Sequence, residues 1–194
     1  MRIAGKRVLK TTAGLETRPT TAKVRAALFN IWQGRIADRD WLDICAGSGA
    51  IGAEALHRGA RRVVGIEQSA RAYRMIQGNW QAILAHRYCP NTPPAQVFEV
   101  LKGDALQLLP KLQGQTFDCI YFDPPYASDL YDAVLWAIVT YELLSPQGEL
   151  AVEYHPKVWQ PPPQVEGPGA GLILCRQKQY GSTALGFYGH CHLG

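Results

Sequence analysis

The chain has 194 residues, 47% hydrophobic and 19% charged, a balance that excludes disordered and collagen-like chains and suits one large domain with its own core. Twenty Lys and Arg against 16 Asp and Glu give a formal net charge of +4, yet residues 1–39 hold nine of the cations and only two of the acids. A basic arm on a mildly acidic body points to a polyanion at the arm. Five cysteines without a C-x-x-C pair, one left over in any pairing scheme, fit a reduced, cytoplasmic compartment. No apolar run approaches the roughly 18 residues that a membrane span needs.

The chain opens on a short basic stretch, Arg2 to Lys10, with the look of a hairpin. PTTAKVRAALFNIW predicts a helix: Thr20 or Thr21 can cap it, and Val24, Ala27, Leu28 and Ile31 fall at helical spacing. There follow strand DWLDI, helix AIGAEALHRG, strand RVVGIE, helix SARAYRMIQGNWQAILA, strand QVFEVL, a short helix after Asp104, strand FDCIYFD, helix DLYDAVLWAIVTYELL and strand ELAVEY. GLILCRQKQY and STALGFYG, separated by a glycine turn, predict an antiparallel hairpin at one edge of the sheet. CPNTPPA and QPPPQVEGPGAG are too rich in proline and glycine for regular structure. The alternation predicts a doubly wound α/β fold, a mostly parallel sheet covered on both faces, with a basic N-terminal extension over residues 1–39 and the main domain over residues 40–194.

LDICAGSGAIG places Gly47, Gly49 and Gly52 as G-x-G-x-x-G between a strand and a helix. Glycines there permit a sharp turn, a close approach of backbone N–H groups to a ligand and close packing of the helix near the strand. Dinucleotide oxidoreductases and S-adenosylmethionine enzymes both use such a loop. Glu67, ending the next strand, stands where a carboxylate can accept both hydroxyls of a ribose, or cap the helix at Ser69. Asp43, just before the glycines, suits an ammonium or sulfonium better than a pyrophosphate, which a carboxylate would repel. Asp104 can accept the amino group of an adenine. Each acid alone reads as a helix cap, but one acid at each of three consecutive strands describes a cofactor crevice.

Asp123-Pro124-Pro125-Tyr126 follows the fourth strand, which in a doubly wound sheet lies beside the first. The prolines hold the Pro124 carbonyl beside the Asp123 carboxylate. Together these oxygens can accept both N–H bonds of an amino group on a conjugated ring, pull its nitrogen toward tetrahedral geometry and free the lone pair for attack on a methyl group. Tyr126 offers a face for a stacked base, which must be unpaired or extruded to arrive there.

RPTTAKVRAALFNIW, LDICAGSGAIGAEALHRGA, IEQSARA, GDAL, DPPY and QKQYGSTALGFY together resemble bacterial 16S rRNA guanine-N2 methyltransferases of the RsmD type, over nearly the whole chain. The resemblance implies a class I, Rossmann-like S-adenosylmethionine-dependent methyltransferase fold and methylation of a guanine N2 amino group in 16S rRNA. It implies that Asp43, Gly47 and Gly49, with Ala46, hold the methionine part, that Glu67, with Gln68, holds the ribose, and that Asp104, with Ala105, holds the adenine. Asp123, at the methyl donor, Pro124, Pro125 and Tyr126 would take the target base. Arg18 and Thr20, with Lys23 and Arg25 on the helix after them, would meet RNA. The implied partner is 16S rRNA within the small ribosomal subunit, with the enzyme a monomer using neither metal nor membrane.

The spacing from the opening hairpin to Arg18 is short for the family, and CPNTPPA replaces a compact turn. Competing readings are an adenine-N6 methyltransferase, since DPPY serves any amino-bearing base, an NAD(P)-dependent oxidoreductase, which leaves DPPY without a role, and a catalytically silent RNA-binding module. His190, Cys191 and His192 have the residue types of a metal site but read as a frayed terminus. His57, His86 and His155 gain no partner from the sequence.

Overall fold

The computed structural model describes residues 22–85, 97–126 and 128–190. The basic stretch Arg2–Lys10, the helix cap at Thr20 or Thr21, Arg18, His86, the CPNTPPA segment, Cys191 and His192 lie outside the described residues.

Helix α1 (Ala22–Ile31) precedes β1 (Asp40–Ile44), α2 (Ala50–His57), β2 (Arg62–Glu67), α3 (Ala70–Ala85), β3 (Val97–Lys102), the single turn α4 (Ala105–Leu108) and a 3₁₀ turn (Leu109–Leu112). Strand β4 (Phe117–Phe122), α5 (Leu130–Thr140), β5 (Leu144–Tyr154), β6 (Gln164–Val165), β7 (Leu172–Tyr180) and β8 (Thr183–His190) complete it. The sheet order is β3-β2-β1-β4-β5-β8-β7-β6. The first five strands are parallel, and β8, β7 and β6 continue antiparallel. This is the doubly wound arrangement that the sequence predicts, with the order reversing between β1 and β4.

Alternate residues of each central strand feed two cores, which is why these strands read as unbroken apolar runs. Leu42, Ile44, Val64, Ile66, Ile120, Phe122, Leu150 and Val152 pack beneath α4 and α5. Trp41, Val63, Cys119, Tyr121, Ala151, Leu185 and Phe187 pack beneath α1, α2 and α3. Helix α1 is joined to this second core through an aromatic chain: Phe29 stacks on Trp41 at 5.6 Å, and Trp32 meets Trp41 and Phe187 edge to face.

Two expectations change. The helix expected to run through Leu144 stops at Thr140, where Glu142 takes φ 51° and Leu144 enters β5 opposite Phe117. The register between β4 and β5 then jumps to Cys119 opposite Glu149, so Ser145–Gly148 are absorbed as an irregularity in a strand longer than ELAVEY. The proline- and glycine-rich segment also carries regular structure: Gln164 and Val165 form a two-residue edge strand on β7, a position where neighbouring prolines cost no ladder bonds.

Candidate active site

The carboxyl ends of β1, β2, β3 and β4 converge on the loop that follows β1. Cys45 and Gly47 take φ 63° and 55°, and Gly49, capping α2, takes φ 71°. Ala46 N–H donates to the Ile66 carbonyl at 3.0 Å, and Gly49 N–H closes the turn on the Ala46 carbonyl at 2.7 Å. A Cβ on Gly47 would meet only the Cys45 carbonyl, at 3.9 Å, so this glycine answers to backbone conformation. A Cβ on Gly49 or Gly52 would instead strike Trp80 of α3, at 2.9 and 2.1 Å. The second and third glycines of the motif therefore seat an indole, whose Nε1–H donates to the Gly49 carbonyl at 2.7 Å.

Glu67 is 8% exposed and braces the loop. One carboxylate oxygen accepts Gly47 N–H at 2.8 Å and the other accepts Ser69 N–H at 2.7 Å. Gln68 lies between these contacts in the chain. Asp43 is buried and accepts Gly52 N–H at 3.0 Å, tying β1 to the first turn of α2. Asp104 caps α4 by accepting Gln107 N–H at 3.2 Å, and Ala105 beside it is buried. Asp123 N–H donates to the Ile44 carbonyl at 3.3 Å, which fixes the start of the DPPY turn against β1. The four acids meet electrostatically at one point: burial pushes the Cys45 thiol up to about 12, and Glu67, Asp123, Asp43 and Asp104 each add to the rise.

Burial also pushes the Asp43 carboxyl up, to about 7, against the Gly52 hydrogen bond and with help from the Glu67 charge. Between its ordinary value of 3.8 and about 7, the folded protein binds a proton at Asp43 that the unfolded chain has lost, so this group's contribution to stability is fully present below 3.8 and lost as pH rises through 7. Asp43→Asn keeps an oxygen for Gly52 without the charge. Thermal unfolding should place its midpoint about 3–8 °C above the wild type at pH 8, with the gap narrowing as pH falls through about 5 and closing only below about 4, where the carboxyl is protonated in both states. A gap independent of pH would contradict the buried charge as its cause.

In the DPPY turn, Pro124 is buried, Pro125 is exposed and Tyr126 is partly buried. The Pro125 carbonyl accepts Ser128 N–H at 2.9 Å, while the Pro124 carbonyl accepts from no group among the described residues. Tyr126 is held by partners that sequence reasoning missed. Its hydroxyl donates to Glu153 at 3.3 Å and lies 2.9 Å from Thr183 Oγ1. Glu153, 3% exposed, also accepts the Tyr121 hydroxyl. The available signal was a carboxylate inside the apolar run ELAVEY, since a buried acid must find donors. The Tyr126 hydroxyl is raised above its ordinary value, chiefly by burial.

Of the expected RNA contacts, Lys23 is exposed on α1. Arg25, 7% exposed, shares a face of the helix with Leu28 and Phe29. His57 ends α2 and His190 ends β8, whereas His155 meets the Tyr126 ring edge to face at 5.7 Å. A cavity of about 380 Å³ opens at the other end of the sheet, between Ile138, Val139, Leu144, Leu172 and His190. Among the described residues no group of three His, Cys, Asp or Glu is placed to hold a metal, and no helix is long and apolar enough to cross a membrane.

The family model described as "Conserved hypothetical protein 95" matches residues 1–189. The chain is 31% identical over 182 residues to YlbH of Bacillus subtilis, covering 94% of this chain and 92% of that protein. It is 32% identical over 136 residues to Ribosomal RNA small subunit methyltransferase D of Escherichia coli, covering 70% of this chain and 60% of that protein. The solved structure of yhhF from Escherichia coli superposes with a TM-score of 0.77 at 29% identity, covering 98% and 97% of the two chains. The strand order, the glycine loop with its ring of acids and the whole-length match agree: the chain belongs to the conserved hypothetical protein 95 family, that of the RsmD-type methyltransferases.

Proposed function

We propose that the protein transfers a methyl group from S-adenosylmethionine to the N2 amino group of a guanine in 16S rRNA, acting in the cytoplasm as a monomer on the small ribosomal subunit. The observation that carries this reading is the convergence of Asp43, Glu67, Asp104 and Asp123 on the Cys45 loop, with DPPY paired onto β1 beside them. The similarity to methyltransferases named for small-subunit rRNA supports the choice of substrate.

The residues present suit the cofactor. Each Glu67 oxygen spends one acceptor site on a backbone N–H, and a carboxylate has about four, so two ribose hydroxyls can still be accepted. Asp123, and Asp43 once it ionises above about pH 7, can answer the positive charge of a sulfonium or an ammonium, and Asp104 can accept from an adenine amino group. When bound, S-adenosylmethionine supplies an electrophilic methyl on a positively charged sulfur.

The chain's own residues then prepare the nucleophile. Tyr126, fixed by Glu153 and Thr183, provides a stacking face for the extruded base. The Asp123 carboxylate and the Pro124 carbonyl accept the two N–H bonds of the amino group and turn its lone pair toward the donor. As the nitrogen gains its methyl it becomes positive, a charge that the Asp123 carboxylate stabilises, and one of its protons leaves through that carboxylate to solvent.

Incubation of the protein with methyl-labelled S-adenosylmethionine and unmodified small subunits, free rRNA or duplex DNA in separate reactions, followed by nucleoside identification, should give N2-methylguanosine from the ribosomal substrate. N6-methyladenine from DNA as the sole product would overturn the reading.

A further inference from the structure

The segment after β5 stands at the mouth of this site, and no motif accounts for it. Strands β4 and β5 are parallel neighbours, with Phe122 opposite Val152, so the chain leaving Tyr154 emerges beside the chain leaving Phe122 for DPPY. Residues His155–Trp159 form a tight, anchored turn there. Val158 N–H and Trp159 N–H both donate to the His155 carbonyl, at 2.9 and 3.2 Å. Trp159 stacks on Tyr131 at 4.4 Å and donates from its indole to Asp132 at 3.0 Å. With both ends of the turn pinned, Lys157 and Val158 are left exposed at its tip.

The hydrogen bonding also assigns the state of His155. Lys157 N–H donates to its Nδ1 at 3.1 Å, so that nitrogen is an acceptor and the ring's proton sits on Nε2. Among the described residues Nε2 has no hydrogen-bond partner. The His155 ring, 5.7 Å from the Tyr126 ring and steeply inclined to it, thus carries an uncommitted N–H donor beside the residue on which the base would stack. The acids of the crevice repel a polyanion, so an RNA strand feeding a base into it needs cations at the rim. Lys157 stands there.

We propose that the His155–Trp159 turn is an RNA contact flanking the target base, with His155 Nε2–H donating to an acceptor on the extruded nucleotide and Lys157 pairing with a neighbouring phosphate. This rests on the rRNA reading above. Trp159 acts at one remove, as the anchor that positions the turn.

The test measures steady-state methylation of small subunits at several salt concentrations, with calorimetric titration of S-adenosylhomocysteine alongside. Lys157→Ala should raise the KM for RNA about fivefold to tenfold and reduce the steepness of its salt dependence by about one phosphate contact, with kcat unchanged. Lys111→Ala, which removes an exposed cation before β4 at the opposite end of the sheet, should change neither. His155→Asn retains an oxygen to accept Lys157 N–H but has no donor at the Nε2 position, and should raise the KM about fivefold, as does His155→Ala. S-adenosylhomocysteine affinity should match the wild type in every variant.

Wild-type KM in His155→Asn would assign His155 to holding the turn and overturn its RNA contact. An unaltered KM and salt slope in Lys157→Ala would overturn the phosphate contact. A loss of cofactor affinity equal to the rise in KM would overturn both. A wild-type protein that methylates no RNA overturns the rRNA reading itself, and this inference with it.

Discussion

Asp123→Ala should lower methyl transfer to small subunits by about a hundredfold to a thousandfold, the scale seen when one preorganised charge partner is removed from a reacting centre. The amino group of a purine has little nucleophilicity because its lone pair is delocalised into the ring, and no side chain deprotonates it near neutral pH. The enzyme must therefore hold both N–H bonds and answer the charge that develops on nitrogen. On the proposed reading Asp123 performs both tasks: its backbone is bound to Ile44 of β1, and its charge acts on Cys45 of the glycine loop and on the Tyr126 hydroxyl. Asp123→Asn keeps one acceptor but turns the other into a donor and removes the charge, so it should lie near the alanine variant. S-adenosylhomocysteine affinity should change by no more than about threefold, since the acids Asp43, Glu67 and Asp104 stay in place. Single-turnover transfer and calorimetric titration separate the two quantities. Turnover retained in Asp123→Ala would remove this residue from the chemistry, and an affinity loss matching the loss of turnover would place it in the cofactor site alone.

The legible parts of this protein were those in which local pattern and global packing ask for the same thing. DWLDI and RVVGIE match β1 and β2 residue for residue, because both faces of each strand are buried and the flanking turns are marked by charge and glycine. The junction of α5 and β5 was not legible. Tyr141, Leu143 and Leu144 continue a helical spacing, and only the pairing of Leu144 with Phe117, 27 positions earlier, draws them into a strand. The grip on Tyr126 was hidden for the same reason: Glu153 and Thr183 lie 27 and 57 residues away in sequence, and the register of β5 with β8 brings them together. His155 had a neighbour that no spacing rule could supply.

The glycine loop shows where a motif and its mechanism part. G-x-G-x-x-G suits a sharp turn, a close approach to a ligand and close helix packing, and the structure divides these among the glycines: Gly47 is free of side-chain neighbours, while the other two positions face Trp80. Gly52→Ala should therefore be a folding mutation before it is a binding one. Its Cβ would lie 2.1 Å from Trp80 Cζ2, inside a core where the indole is fully buried beside Gly65, whose own Cβ would meet the same ring at 2.6 Å. The ring has no free direction to yield, so the substitution should cost about 3 kcal/mol, at the upper end of overpacking effects. Trp80→Ala should cost about 3–5 kcal/mol by leaving a cavity and losing the Nε1–H bond to Gly49. The added methyl and the emptied space are complementary, so the double variant should be more stable than the sum of the two by about 1–3 kcal/mol in urea unfolding. Strict additivity would mean that the loop relaxes away from α3 and that Trp80 does not set the requirement for glycine. Because the same indole holds the Gly49 carbonyl, and Gly49 closes the turn carrying Gly47, rescue of stability in the double variant should not restore cofactor affinity. That separation would show the motif serving two tasks: Gly49 and Gly52 admit the tryptophan that sets the loop, and Gly47 and Gly49 give the loop its left-handed turns.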